Sequence, residues 1–427
     1  MLTPAENELL CRVEGDAPMG KIMRHYWMPA CLSEEIPEAD GKPIQVRLLG
    51  ENFVAFRDSN GEVGVMDELC PHRRASLVMG RNEECGLRCL YHGWKMDRHG
   101  NIVDMPSEPP ESPLKDKVKH RALPVKEWAG LVWVFLGEAN SVPEFIPPAW
   151  APNADTKVSI AKIKIPCNWA QILEGAIDSS HSSSLHSSDM VPSRVVQAEA
   201  DDNAWYRPST DKNPSMRSKS TEYGFHYAAI RRPIKKADTH SYVRTSVFVS
   251  PMTVLIPPNA SYNVANINVP IDDTNTAFHF IGWGENAMDT EKWRAFLGAT
   301  LGEHLDQNWV SKRNLSNWFQ QDRQMMKDGN FTGIIGIPNQ DMAMWITMGP
   351  IANRSEDTLG AGDAAVVEFR RYMMAQLSKY QEEGKAFEKS IFRKGPEQII
   401  PSWQGIIPKE TDWSDPQERE EKKLQQW

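Results

Sequence analysis

Leu173-Glu174-Gly175-Ala176-Ile177-Asp178-Ser179-Ser180-His181-Ser182-Ser183-Ser184-Leu185-His186 places two histidines and an acid within a few residues of one another. The preceding Cys167-Asn168-Trp169-Ala170-Gln171-Ile172 reads as the entry to a helix. On an ideal helix His181 and His186 would point about 140° apart and could not share a metal. The turn between them must therefore break, or widen into a π-bulge that aligns i with i+5. Serines 179, 180, 182, 183 and 184 compete for backbone hydrogen bonds, which makes such a distortion cheap; otherwise they are a polar linker. Two neutral imidazoles and a carboxylate on one face would hold iron(II) with open positions for dioxygen, whereas the histidine pair alone is equally compatible with zinc or with plain polar surface. Two acids can supply the carboxylate. Asp178 lies three residues before His181 and can hydrogen-bond an imidazole nitrogen. Asp322, in Asn317-Trp318-Phe319-Gln320-Gln321-Asp322-Arg323-Gln324, could close the site from the opposite wall, with Asp306 and Asp328 on the same predicted helix as competitors.

The 427 residues exceed what one hydrophobic core supports, so two domains are expected. The net charge of -9 argues against nucleic acid or an anionic membrane as partner, since both need a basic face. The start has no basic-then-apolar leader pattern, and the longest apolar runs, such as Leu131-Val132-Trp133-Val134-Phe135-Leu136, fall far short of a span of about 20 residues. A soluble cytoplasmic protein is expected. In that reducing setting the six cysteines are ligands or small core residues rather than disulfides.

Residues 1–40 read as an arm with a short helix, followed by a buried turn at Tyr26-Trp27-Met28-Pro29-Ala30. From 41 to 150 short strands separated by Gly and Asp turns (44–49, 53–56, 62–66, 131–136) indicate a compact all-β module. The Pro-rich segment 143–152 marks the boundary to a second domain, 151–427. There a strand (157–165) and the histidine segment precede strands at 223–230, 242–249, 253–256, 262–269 and 277–283. Residues 290–327 read as helical. Asp363 caps a last amphipathic helix with Val366, Phe369, Met373, Leu377 and Tyr380 on one stripe.

Inside the β module, Cys70-Pro71-His72 and Cys89-Leu90-Tyr91-His92 give C-x-H and C-x2-H. Two loops that each offer a thiolate and an imidazole can bind zinc or a Rieske [2Fe-2S] cluster, in which two Cys hold one iron and two His the other. A single spacer residue is awkward for two ligands of one zinc ion and natural when they serve different irons. Gly93 and Trp94 fit a loop packed over a cluster, and a cluster needs somewhere to send its electrons.

Cys70-x-His72, Cys89-x2-His92, Asp178-x2-His181-x4-His186 and a distal Asp322 together resemble the oxygenase component of Rieske non-haem iron ring-hydroxylating oxygenases. The resemblance runs from the Tyr26-Trp27 arm to the C-terminal helix and is to the branch acting on phthalate, chlorobenzoate and vanillate. It implies an α+β chain: an N-terminal all-β Rieske [2Fe-2S] domain and a catalytic domain with helices over a large antiparallel sheet, of helix-grip type. It further implies a homotrimer or stacked homohexamer, a mononuclear Fe(II) held by His181, His186 and Asp322, and Asp178 bridging to a Rieske histidine of the neighbouring subunit. Dioxygen is then the co-substrate, and electrons come from an NADH-dependent flavin/iron-sulfur reductase.

A phthalate-like dianion in an acidic protein needs arginines in a cleft. Alternation along 242–248 puts Tyr242, Arg244, Ser246 and Phe248 on one strand face, either a pocket lining or a solvated surface. Arg207 follows Trp205-Tyr206 after the metal segment, in a region where the resembling phthalate enzymes use arginines. Ser179 could add a hydrogen bond near the iron. Arg231-Arg232 before Pro233 reads as a surface turn. The expected activity is cis-dihydroxylation of an aromatic carboxylate, with phthalate at its 4,5-position favoured. The alternatives are a chlorobenzoate dioxygenase, an aryl O-demethylase using the same metals, or a Rieske electron carrier fused to a ligand-binding domain.

Overall fold

The computed structural model describes residues 2–192, 205–257, 262–384, 387 and 395–424. The chain divides into two compact units, Val13–Phe145 and Met1–Arg12 with Ile146–Trp427. The boundary at 145/146 falls inside the expected Pro-rich segment. The expected 1–40 arm is not a separate piece: its first twelve residues belong to the C-terminal unit and the rest to the β unit. One reason is Asn168, whose side-chain amide donates to the carbonyl of Cys11 (2.9 Å) and so ties the first helix, Pro4–Cys11, to the metal segment.

The Val13–Phe145 unit is built of three small antiparallel sheets. The supposed turn at Trp27 is a strand, Trp27–Leu32, paired with Leu131–Phe135, which in turn pairs with Val125–Trp128. Ile44–Leu48, Glu51–Arg57 and Val63–Asp67 form the second sheet, where the turn-separated short strands are expected. Short strands at Arg81–Glu83, Gly86–Arg88, Lys95–Met96 and Ile102–Asp104 form the third. Val54, Phe56, Met66, Leu77, Leu87, Met96 and Ile102 make a core that also encloses Cys70, Cys89 and Trp94. The two metal-binding loops thus grow out of packed strands.

In the C-terminal unit an eight-stranded antiparallel sheet runs, in spatial order, Val158–Ile165, Asn275–Trp283, Asn263–Asp272, Thr253–Ile256, His240–Val249, Gly224–Arg231 and Ser215–Thr221. Trp403–Pro408 pairs with the near half of His240–Val249 as the eighth strand. Three helices lie over it: Trp169–Ile177, Ile337–Thr347 and Ala364–Glu383. Val366, Phe369, Met373 and Leu377 form the expected stripe of the last one. Each such buried side chain contributes about 1.5–3 kcal/mol. Phe369 meets Phe248 of the sheet edge-on, with ring centroids 5.4 Å apart. Asp363 sits at the cap position, but its carboxylate turns back to the N–H of Gly360.

Residues 290–327 are not one helix. Thr290–Phe296 ends at Gly298 (φ 63°), and Trp309, Trp318, Phe319 and Gln320 all carry positive φ, which a right-handed helix cannot continue through. A five-residue helix, Arg323–Lys327, then follows.

The metal segment is anchored from behind by charge. Glu174 Oε1 accepts from Arg354 Nε (2.8 Å) and Arg370 Nε (2.7 Å), and Arg370 also reaches Asp357 (2.7 Å). Arg354 and Arg370 side chains are only 1% and 7% exposed. Glu174→Ala would leave both guanidiniums buried without that carboxylate, a loss of about 3–5 kcal/mol. The expected result is a lower urea midpoint for the C-terminal unit, with the visible absorbance of the β unit's cluster unchanged.

Candidate metal centres and the pocket between helices and sheet

In the β unit the segment holding Cys70 and His72 folds back on itself: the N–H of Cys70 donates to Ala75 and the N–H of Arg74 to Cys70. The second loop is closed by Cys89 N–H to Trp94 and Gly93 N–H to Cys89, with Gly93 at φ 78°. The His72 and His92 rings lie 4.4 Å apart, and Trp94 stacks on His72 at 4.5 Å with 6° between planes. Burial pushes the Cys70 thiol up to about 11, and the adjoining Cys89 adds to this. Ligation at neutral pH therefore displaces a proton. Nδ1 of His72 is buried with no hydrogen-bond partner among the described residues, which fits a nitrogen reserved for a metal. Two thiols inside the core and two adjoining imidazoles match the donor set of a Rieske cluster.

The helix carrying the second motif starts at Asn168, whose side chain accepts from the N–H of Ala170 (3.0 Å), and ends at Ile177. Asp178 ends it. Its carboxylate accepts from the N–H groups of Ser180 (2.7 Å) and His181 (3.2 Å), an Asx-type turn that outcompetes helix continuation. A short 3-10 turn, His181–Ser183, follows. The distortion required by the five-residue spacing is thus a helix break rather than a π-bulge. It brings Nε2 of His181 and His186 to 3.1 Å of each other.

The third member of this group is Asp341, not Asp322. Asp341 Oδ1 lies 3.1 Å from His186 Nε2 and 3.5 Å from His181 Nε2, and the three ligand atoms lie within 4.8 Å of one another. Asp322 is exposed and caps the small helix after it, accepting from the N–H groups of Gln324 (2.8 Å) and Met325 (2.9 Å). Asp306 and Asp328 are likewise outside the group. Asp341 was missed because the helical reading stopped at Gly329. The available signal was Gly336-Ile337-Pro338, where a glycine at φ 86° and a proline in the first turn start the helix Ile337–Thr347.

Two contacts hold this helix against the metal segment. Gly175 permits close approach: a Cβ there would stand 2.1 Å from the indole nitrogen of Trp345. Gln171 donates to the carbonyls of Trp345 (2.8 Å) and Gly349 (2.9 Å), tying down the C-terminal end of that helix.

Gln340, one residue before Asp341, sets the tautomer of His186. Its amide nitrogen donates to Asp189 and to the carbonyl of Ile334 (both 2.8 Å), so its oxygen faces His186 Nδ1 at 2.7 Å. That oxygen only accepts. His186 Nδ1 therefore carries the proton and Nε2 offers its lone pair inward, as a metal ligand requires. The donor set of two imidazoles and one carboxylate fits iron(II) with open positions. Asp178 stands on the other side of His181, 3.4 Å from Nδ1. Burial alone would raise its carboxyl, but His181 and the turn N–H groups hold it below the usual carboxylate range.

The group opens into a cleft lined by Ser179, Arg207, Arg244, Phe278, Phe280 and Trp345 among others. The Tyr242–Phe248 strand face is therefore buried rather than solvated, and Arg244 and Ser246 on it line the cleft. Arg244 donates to Gln404 (3.0 Å) and to the carbonyl of Pro257 (3.0 Å). Arg207 donates to the hydroxyls of Ser182 (3.0 Å) and Ser183 (3.2 Å). Burial first, then Arg244 and Arg231, push its guanidinium down to about 9. A cluster of cations with this self-repulsion favours an anionic occupant. Arg232 is exposed as the surface-turn reading expects, but Arg231 is 2% exposed. The pairing of Arg231 with Tyr242 on the neighbouring strand turns it to the Arg244 side of the sheet, a fact of register that the single strand does not carry.

Losing a partner behind a metal ligand costs about 10–100-fold in affinity, so Asp341→Ala, which removes a ligand itself, should weaken iron binding by more than about 100-fold. Asp322→Ala should keep the mononuclear iron. Iron analysis alongside cluster absorbance separates the two; the reverse pattern would restore Asp322 as the ligand.

The description "Rieske [2Fe-2S] domain" matches residues 26–128, and "LigXa C-terminal domain like" matches residues 134–426. The chain is 61% identical over 98% of its length to the phthalate 4,5-dioxygenase oxygenase subunit of Pseudomonas putida, covering 95% of that protein. It is 38% identical to the 3-chlorobenzoate-3,4-dioxygenase oxygenase subunit of Comamonas testosteroni, with 90% of each chain covered. Among solved structures it is similar in fold to Pseudomonas putida CBB5 NdmA with caffeine, at a TM-score of 0.61 and 19% identity, covering 88% of this chain and 97% of that one. With both metal motifs in place and relatives of this identity spanning nearly its whole length, the chain belongs to the Rieske non-haem iron ring-hydroxylating oxygenases, as an oxygenase component.

Proposed function

We propose that this chain is the oxygenase component of a phthalate 4,5-dioxygenase. It would add both atoms of dioxygen to adjacent ring carbons, giving a cis-dihydrodiol, with two electrons from an NADH-dependent flavin/iron-sulfur reductase and two protons. The observation that carries this reading is the pairing, in one cleft, of the His181/His186/Asp341 group with Arg207 and Arg244. The 61% identity to a protein of that name supports the choice of substrate.

The residues divide the work. Arg207 and Arg244 take the two carboxylates of an ortho-dicarboxylate, since planar guanidiniums match carboxylates in pairs. Phe278, Phe280, Ile256, Ile337 and Trp345 supply an apolar slot for the ring, which leaves the edge remote from the carboxylates turned toward the histidines. Ser179, at the same wall, can donate a hydrogen bond to the substrate. An iron(II) held by His181, His186 and Asp341 supplies dioxygen activation. Asp178 holds the backbone of His181 in place and is the residue through which electrons from the neighbouring subunit's cluster would arrive, in a trimer or stacked hexamer of this chain. Among the described residues no helix is long and apolar enough to cross a membrane.

Coupled turnover of phthalate with a compatible reductase tests this reading. A 4,5-cis-dihydrodiol is expected; O-demethylation of methoxybenzoates without phthalate turnover would instead make the chain a demethylase. Arg244→Gln should raise KM for phthalate by the equivalent of about 1.5–3 kcal/mol, the worth of a hydrogen bond to a charged group. Asp178→Asn keeps a side-chain oxygen for the turn, so it should keep both metals yet lose coupled turnover. Wild-type turnover in Asp178→Asn would remove the relay role.

A further inference from the structure

Behind the two pocket arginines stands a third that neither lines the cleft nor touches a metal ligand. Arg231, at the end of the strand Gly224–Arg231, is buried. One terminal nitrogen, Nη2, donates to the carbonyl of Ser179 (2.9 Å) and to the hydroxyl of Ser183 (3.2 Å). Its Nε and Nη1 are buried with no hydrogen-bond partner among the described residues. A buried guanidinium left with open donors is costly, and a structural role alone would be filled more cheaply by a neutral side chain.

Its two contacts place it. The Ser179 carbonyl also accepts from Ser182 Oγ (2.9 Å), and Ser182 Oγ in turn accepts from Arg207. Ser183 Oγ accepts from both Arg207 and Arg231 (3.2 Å each). With both acceptor sites of that hydroxyl occupied by guanidiniums, Arg207 and Arg231 are both tied to one serine. The serines belong to the turn that begins at Asp178 and carries His181. Arg231 thus braces the turn that fixes Arg207, from a position within the electrostatic reach of the anion end of the cleft.

We infer that Arg231 is a specificity-determining positioning residue: it holds the Ser179–Ser183 turn and Arg207 in register and adds a third positive charge that selects dianionic over monoanionic aromatic carboxylates. This rests on the phthalate reading and deepens it. The field argument is consistent with the state of Arg231 itself, whose guanidinium is pushed down to about 10 by burial and then by Arg244. It remains charged at neutral pH. The repulsion among the cations is relieved more by two negative charges than by one, so the discrimination arises without contact between Arg231 and the ligand.

The test measures equilibrium binding of phthalate and of benzoate to anaerobic holoenzyme by calorimetry, for wild type, Arg231→Met and Arg231→Lys. Wild type is expected to prefer phthalate. Arg231→Met should weaken phthalate about tenfold or more while changing benzoate less than about threefold, which collapses the preference. Arg231→Lys keeps the charge and should retain most of it. Benzoate binding doubles as a control for folding, and cluster absorbance gives a second. If wild type prefers phthalate and Arg231→Met weakens both ligands equally, or neither, the Arg231 inference is overturned and the phthalate reading stands. A wild type without any preference for the dianion overturns both.

Discussion

The carboxylate of Asp178 accepting the N–H groups of Ser180 and His181 is the interaction on which the catalytic unit depends. A helix carried straight through would send His181 and His186 in different directions, and no side-chain rotation recovers a shared metal from about 140° of divergence. By capturing two backbone donors the aspartate stops the helix at Ile177 and folds the next residues into a tight turn. That turn places both imidazoles on one side and presents Ser179, Ser182 and Ser183 to the arginines on the other. Because the same carboxylate lies beside His181 Nδ1, the group that shapes the site is also positioned to serve as a link into it.

The rest of the unit holds that turn still. Glu174, one helical turn earlier, is fixed by Arg354 and Arg370 on the face away from the metal. Gln171 secures the end of the helix that brings Asp341, and Gly175 lets that helix come close enough for Trp345 to pack over the metal segment. Gln340 and Asp341, adjacent on that helix, then act on the same histidine, one from each ring nitrogen. Ligand and support thus arrive on a single rigid element, which suits a site whose geometry must be preserved through turnover.

Charge completes the division of the cleft. Its acidic residues, Asp178 and Asp341, stand with the histidines, while Arg207 and Arg244 line another part of its wall and Arg231 stands behind them, bonded with Arg207 to the serine turn. In a protein of net charge -9 such a local concentration of buried cations is not a by-product of composition. It costs stability through desolvation and mutual repulsion, a cost that an anion placed in the cleft would offset.

Much of this was legible in the residues themselves. Cys70-x-His72 and Cys89-x2-His92 identify the cluster loops because a single spacer suits two irons and not one. The spacing of His181 and His186 demanded a broken turn, and alternation along Tyr242 to Phe248 placed Arg244 among aromatics, because these are local properties of a chain with fixed periods. What the sequence could not supply was whatever depends on elements meeting across the fold. Asp322 and Asp341 are both acids at or near helix starts, and only the packing of Ile337–Thr347 against the metal segment distinguishes the ligand from the cap. Arg231 and Arg232 are neighbours of the same chemistry, and only the pairing of two strands decides that one is buried beside the pocket and the other faces water. Local spacing determined which chemistry the chain carries; tertiary packing decided which residues perform it, because a metal or an anion is held by groups that converge in space and not along the chain.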